Sequence, residues 1–373
     1  MKKRLLFLVN SDDFFISHRL EIGLSALKEG FDVYIASSID KENNILKKYG
    51  FKTQHIDLDR SSTSLFSNTV YFIKVLKIFL KIQPDIIHLI TIKPVIFGGI
   101  AARLLGIKSV IVAISGLGYI FISKGFISKL RLYFIKFLYR LSLNNNNVQL
   151  IFQNNSDKEI ILDICSIDKS RIHLIKGSGV DLNKFKYTPL PKGVPSILFA
   201  SRLLYDKGLK EFISAAELIK KDGYKANFIL VGKPDLQNPA SISFDQLENY
   251  ISKGNIDWHG YKGDIYPVLI ESYLIVLPSY REGLPKILIE AAACGRPVVT
   301  TDVPGCRDAI INGKTGLLVP SKNHTALAEA IKDLITNYSK SETLGLEARK
   351  FAEKNFDIKN VVSKHLEIYR SIF

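Results

Sequence analysis

Short aliphatic runs separated by longer amphipathic stretches recur along the chain, and that alternation demands parallel sheets covered by helices. Residues 5–9, 32–36, 86–89, 110–113, 149–152 and 171–175 read as strands of a first domain. Residues 187–195 then interrupt the pattern with three prolines, and it restarts at 196–200, 228–231, 256–259, 274–277, 297–300 and 316–319. The expected architecture is α/β, with two doubly wound, Rossmann-like domains and a ligand site near the carboxyl ends of their strands. A length of 373 residues gives each domain a full core. The expected boundaries are 1–186 and 187–358, with 359–373 a C-terminal helix packing back on the first domain.

Charge sets the halves apart. Residues 1–186 hold 27 basic and 15 acidic residues, a net +12, whereas 187–373 hold 24 and 21, a net +3. The excess gathers in two apolar, helix-compatible segments without a single acid, 64–83 and 119–143. In the second, Lys124, Lys129, Arg131, Lys136 and Arg140 are interleaved with Phe, Tyr, Ile and Leu, a composition suited to the interface of an anionic membrane. A core helix with a solvated basic edge is the plainer reading, but the recurrence of the pattern favours the membrane. Nucleic acid is not expected, because no recognised binding motif accompanies the charge.

No stretch approaches the ~20 apolar residues of a membrane span. The apolar run after Met1-Lys-Lys-Arg is too short for a signal peptide and ends at Asn10. Three widely spaced cysteines, Cys165, Cys294 and Cys306, suggest no disulfide framework and no zinc site. A cytoplasmic protein bound peripherally to the inner face of a bacterial cytoplasmic membrane is the expectation.

The most informative stretch runs from Leu277 through Pro-Ser-Tyr-Arg-Glu-Gly-Leu-Pro-Lys-Ile-Leu-Ile-Glu-Ala-Ala-Ala-Cys-Gly-Arg-Pro to Val-Val-Thr300. A strand ends, a short loop follows, and Pro285 opens a helix over 285–294 whose N-terminus favours a phosphate. Gly283 permits close backbone approach. Helical rise places Glu282 and Glu290 roughly 12 Å apart, about the reach of a nucleotide-sugar diphosphate. Each glutamate alone would read as a dipole-complementing or surface acid; their joint context argues otherwise.

Glu282 and Glu290 match the E-x7-E signature of glycosyltransferase family 4, and the match extends through PSYREGLPKILIEAAACGRPVVTTDVPGCRDAI and GKTGLLVP. The chain resembles that family over essentially its whole length, which implies a GT-B fold and a retaining glycosyltransferase using a nucleotide sugar. The segment Ser201-Arg-Leu-Leu-Tyr-Asp-Lys-Gly is similar to the one whose Arg and Lys clamp the donor diphosphate, here Arg202 and Lys207. Residues 176–185, containing Gly179, resemble the family's NGVD loop with Ser178 in place of Asn. The loop Trp258-His-Gly-Tyr261 resembles the one that holds the base. By this resemblance Glu290 binds the ribose, Glu282 the transferred sugar, and the Gly283 and Leu284 amides the distal phosphate.

The first domain departs from the family's glycine pair, carrying Asn10-Ser-Asp-Asp-Phe-Phe-Ile-Ser-His-Arg instead. His18 is a candidate near the start of the first helix. Ser115-Gly-Leu-Gly-Tyr-Ile-Phe, with Gly116 and Gly118, resembles members that extend undecaprenyl-diphosphate-linked glycans, α-1,3-N-acetylgalactosaminyltransferases among them, but it lacks the family's cleft histidine. That likeness implies UDP-N-acetylhexosamine as donor and a polyprenyl-diphosphate-linked saccharide as acceptor, in O-antigen, capsule or other surface-glycan assembly. Asp57-Leu-Asp59 imitates a metal-binding DxD but sits outside the donor domain, and with Arg202 and Lys207 to meet the phosphates no metal is expected. The rival readings are a non-hydrolysing nucleotide-sugar epimerase of the same fold and an inactive glycosyltransferase-like scaffold.

Overall fold

The computed structural model describes residues 2–39, 45–58, 64–117, 126–236 and 238–372. Asp59, Gly118 and Lys124 lie outside them. Two compact units emerge, Met1–Ser178 with Lys359–Phe373, and Gly179–Ile358.

In the first unit the order is β1 (Arg4–Ser11), α1 (Asp12–Lys28), β2 (Asp32–Ser38), α2 (Ile45–Lys48), β3 (Lys52–His55), α3 (Leu65–Ile82), β4 (Ile86–Ile90), a π-helical turn Pro94–Gly98, α4 (Gly99–Leu104), β5 (Val110–Ile114), α5 (Phe126–Leu143), β6 (Val148–Phe152), α6 (Asn155–Ile164) and β7 (Ile172–Leu174). Among the described residues its strands form one parallel sheet in the order β3-β2-β1-β4-β5-β6-β7. The chain changes direction across the sheet between β1 and β4. Ser11 starts α1 by accepting from the Phe14 amide at 3.3 Å, and Asp12 and Asp13 complement the helix dipole. Ser64 caps α3 in the same way, and Gln83 ends it in the left-handed region.

The second unit runs β8 (Ser196–Ala200), α7 (Leu209–Lys221), β9 (Asn227–Val231), α8 (Phe244–Ser252), β10 (Asp257–Trp258), α9 (Tyr266–Glu271), β11 (Leu274–Leu277), α10 (Lys286–Ala293), β12 (Val298–Thr301), α11 (Cys306–Ala309), β13 (Leu317–Val319), α12 (His324–Thr336) and α13 (Tyr338–Asn355). Its parallel order is β10-β9-β8-β11-β12-β13, reversing between β8 and β11. All twelve anticipated strands are present, and among the described residues a thirteenth, β3, was not anticipated.

The first unit ends at Ser178, eight residues before the boundary expected from the prolines. Residues 179–186 pack with the second unit instead. The Val180 amide donates to Phe356 O at 2.8 Å, Arg349 Nη1 donates to Phe185 O at 2.8 Å, and both Val180 and Phe185 join that unit's core. Fully buried Arg296 then holds the proline-rich segment through Thr188 O and Pro189 O.

Helix α14 (Ile358–Ser371) returns to the first unit from Lys359 onward. Its Tyr369 is fully buried beside Phe7 and Phe31, and its hydroxyl lies 2.7 Å from His88 Nδ1 on β4. His365 lies against His88 with ring centroids 5.7 Å apart. Burial, and then the nearby Arg19 charge, push the His365 imidazole down to about 3. His88 is held well below its ordinary range first by burial, then by His365 and Arg19. Unfolded, each histidine takes a proton near its ordinary value of 6.5. The fold prefers both rings neutral, so stability is complete above that value and is lost as pH falls from there toward 3. Thermal melts should show Tm falling from neutral to mildly acid pH, with a shallower fall in His365→Leu. An equal slope in both proteins would refute this origin.

Candidate active site

In the second unit the loops leaving β8 and β11 flank the point where the strand order reverses, a position where α/β sheets characteristically bind ligands. The loop after β8 carries Arg202 and, in a single 3-10 turn Tyr205–Lys207, Asp206 and Lys207. Gly208 ends that turn with φ +76 and begins α7. A Cβ at Gly208 would sit 2.1 Å from Pro278 O, so glycine is what lets the two loops touch.

Across that contact Lys207 Nζ meets Glu282 Oε1 at 2.5 Å, with side chains only 17% and 11% exposed. Ser279 Oγ donates to the same carboxylate oxygen at 2.7 Å. The loop holding Glu282 is pinned on both sides. The Tyr280 amide donates to Asp206 O at 2.9 Å, and the Tyr280 hydroxyl to buried Glu211 at 2.7 Å. The Glu282 amide donates to Pro304 O at 3.1 Å, and a Cβ at Gly305 would fall 2.5 Å from Glu282 O.

Pro285 caps α10 with φ −69 and ψ 122, one residue ahead of the helical residues. Gly283 and Leu284 are buried just before it. Glu290, 5% exposed, pairs with Lys286 one turn back at 3.2 Å. Burial raises its carboxyl above the ordinary range, with Lys286 opposing the shift. Asp206 is likewise raised by burial against the pull of Lys207, and its Oδ1 has no hydrogen-bond partner among the described residues.

Other anticipated residues behave differently. Arg202, half exposed, is tied to Asp235 at 2.8 Å. Trp258 donates its indole N–H to Gly232 O at 2.8 Å and packs on the core. Tyr261 is 65% exposed beneath the Lys233 ammonium, 5.2 Å from its ring centroid. Gly179 has φ +76 beside the Val180 bridge to Asp357.

In the first unit His18 lies two turns into α1, further along than expected, stacked on Phe14 at 4.3 Å with Ser17 Oγ 2.7 Å from its Nδ1. Gly116 follows β5 with φ +118. Lys129 and Arg131 are exposed on α5, and Lys136 is half-buried. Asp57 is bound to His55 at 2.6 Å and Lys74 at 2.9 Å, and these partners hold its carboxyl down at about 2. Among the described residues no group of three or more His, Cys, Asp or Glu side chains could hold a metal ion.

The sequence analysis missed Ser279, Tyr280 and Asp206 as participants, although all three lie inside the stretches it singled out. Glu211 and Asp235 gave no signal, because a lone acid in a helix or loop reads as solvated surface.

Comparison with known proteins adds the family. Residues 4–173 match the family described as Glycosyl transferase 4-like, and residues 181–351 match Glycosyl transferases group 1. The N,N'-diacetylbacillosaminyl-diphospho-undecaprenol alpha-1,3-N-acetylgalactosaminyltransferase of Campylobacter jejuni is 32% identical over 367 residues, covering 93% of each chain. The chain belongs to the group 1 glycosyltransferases. The Staphylococcus aureus capsular polysaccharide biosynthesis glycosyltransferase CapM is 28% identical to this glycosyltransferase, over 93% of the chain and 91% of CapM. Anabaena Alr3699/HepE, solved in complex with UDP, aligns over 100% of both chains with a TM-score of 0.76 at 18% identity, a likeness of fold. The glycosyltransferase therefore has the GT-B fold, each unit contributing one of the two parallel sheets.

Proposed function

We propose that this glycosyltransferase moves N-acetylgalactosamine from its UDP donor onto a polyprenyl-diphosphate-linked saccharide, with retention at the anomeric carbon. The observation that carries the chemistry is Lys207 held against Glu282 at 2.5 Å on the β8 and β11 loops. Full-length likeness to the C. jejuni enzyme supports the substrates. Arg202 and Lys207 neutralise the departing diphosphate, Glu282 binds the transferred sugar, and the Gly283 and Leu284 amides bind the distal phosphate. Glu290 takes the ribose, and the loop bearing Trp258 and Tyr261 the base. The acceptor hydroxyl attacks on the face the diphosphate leaves, and its proton passes to the departing phosphate oxygen. Charge on that leaving group is the main quantity to stabilise, and two cations supply it. We propose that they act without a required metal.

A panel of nucleotide sugars, each with and without EDTA, assayed against a short undecaprenyl-diphosphate-linked acceptor tests all of this. Transfer from UDP-N-acetylgalactosamine that survives EDTA is expected, with the α-anomer in the product. A product formed from the donor alone would instead indicate the epimerase, which the transferase relatives do not favour. No turnover with any donor would indicate the scaffold, against which the presence of Arg202, Lys207, Glu282 and Glu290 argues.

The acceptor's lipid places the reaction at a membrane, and two helices suit that surface. Leu130, Tyr133, Phe134, Phe137 and Leu141 form one exposed stripe along α5, opposite buried Tyr139 and Leu143. On α3, Leu65, Phe66, Ile73 and Leu80 are exposed as well. Among the described residues no helix is long and apolar enough to cross a bilayer. Such faces lie in an interface, with basic residues drawn to anionic headgroups. Substituting Gln for Lys129, Arg131 and Lys136 together should weaken binding to anionic vesicles roughly a hundredfold, at about 1 kcal/mol per charge. Unchanged co-sedimentation would remove α5 from the surface.

A further inference from the structure

Four neighbouring strands of the first unit end in polar side chains, and three of those side chains have unmet hydrogen-bonding capacity. In sheet order they are Ser37 on β2, Asn10 on β1, Thr91 after β4 and Ser115 after β5. Ser37 Oγ, Asn10 Oδ1 and Thr91 Oγ1 are shielded from solvent, and each is without a hydrogen-bond partner among the described residues. Ser115 Oγ accepts from buried Arg19 at 3.2 Å, whose own Nε is likewise unsatisfied.

Backbone geometry is irregular at the same place. The β1–β2 register runs Leu8 to Ala36 and then Ser11 to Ser38, so one extra residue bulges from β1 at Val9 and Asn10. Thr91 has φ +73, a left-handed conformation that a β-branched residue adopts only under strain. The π-helical turn Pro94–Gly98 follows three residues later, its start linked to Thr91 through the Val95 amide at 3.0 Å. Bulge, strained residue and π-turn all meet where the sheet order reverses between β1 and β4.

We propose that Asn10 and Thr91 form a hydroxyl-binding subsite for the acceptor saccharide, with Thr91 setting its specificity. The inference rests on the transferase reading above. Complementarity selects the ligand class. Asn10 Oδ1, an acceptor, and the Thr91 hydroxyl, which donates and accepts, are both without partners among the described residues. A sugar hydroxyl, which donates and accepts at once, can answer both, whereas an ionised phosphate only accepts and would leave Asn10 Oδ1 unmet. Seating that hydroxyl satisfies both groups at once, and rejects an analogue lacking it. The donor-binding candidates Arg202, Lys207, Glu282 and Glu290 all belong to the second unit, which leaves this subsite to the acceptor.

The test uses the full-length chain, UDP-N-acetylgalactosamine and a fluorescent polyprenyl-diphosphate-linked disaccharide. Acceptor Kd is read without donor, and acceptor and donor KM in turnover. Thr91→Val keeps the branching and removes the hydroxyl, and should raise acceptor Kd and KM about tenfold with donor KM unchanged. Thr91→Ser should restore both. Thr91→Gly, which relieves the left-handed strain, should raise Tm yet bind acceptor as poorly as Thr91→Val. Acceptor affinity unchanged in Thr91→Val, or a loss confined to donor KM, overturns the subsite while leaving the transferase reading intact. Thr91-dependent binding without turnover by the wild-type protein overturns that reading and keeps the subsite. Absence of both binding and turnover overturns both.

Discussion

Lys207→Ala is expected to lower turnover about a hundred- to a thousandfold, the range seen when one preorganised group stabilising a developing negative charge is removed. Its ammonium is mostly buried against Glu282, so the truncation also leaves that carboxylate with the Ser279 hydroxyl as its remaining side-chain hydrogen-bond partner among the described residues. Glu282→Gln should cost a similar factor, because the amide keeps the shape but loses the charge that orders Lys207. The double variant should fall no further than the worse single one, since members of one unit act non-additively. Steady-state rates for all three, alongside circular dichroism and Tm to confirm folding, check the prediction. Near-wild-type rates in both single variants would remove this pair from the reaction.

Gly208→Ala is expected to destabilise the second unit by about 2–4 kcal/mol, combining a positive-φ penalty with a backbone clash. The added methyl would overlap Pro278 O, and neither carbonyl nor φ can relax without moving the loops that carry Lys207 and Glu282. Activity should therefore fall along with Tm. Gly263→Ala is the control, because nothing lies within 4 Å of its Cβ position and its φ is not positive. A Gly208→Ala protein with unchanged Tm would show that the two loops do not depend on that contact.

Much of this site was legible in the sequence because the donor loops are short and strongly patterned. Strand, turn, Pro285 and helix follow one another within a single stretch, the order that a parallel sheet repeats along the chain. β3 escaped because its sequence, Lys-Thr-Gln-His, carries no aliphatic residue. It is an edge strand, whose side chains need no core partners. The domain boundary was misplaced for a related reason. Prolines mark an irregular segment, but which unit that segment lies on is decided by distant partners, here Arg296, Arg349 and Phe356. Pairings such as Tyr280 with Glu211, 69 residues apart, leave no local trace. Neither does the strain at Thr91, an ordinary strand-end threonine until its φ is known.

Helix α14 has a consequence for synthesis. The first unit's sheet can assemble once residue 174 has been made, but Phe7, Phe31 and His88 await Tyr369, nearly 200 residues later. At roughly 5–20 residues per second on the ribosome, that leaves the unit unfinished for about ten seconds or more. During that interval an apolar patch on the nascent chain is open to chaperones, so vectorial translation makes the first unit to emerge the last to be completed.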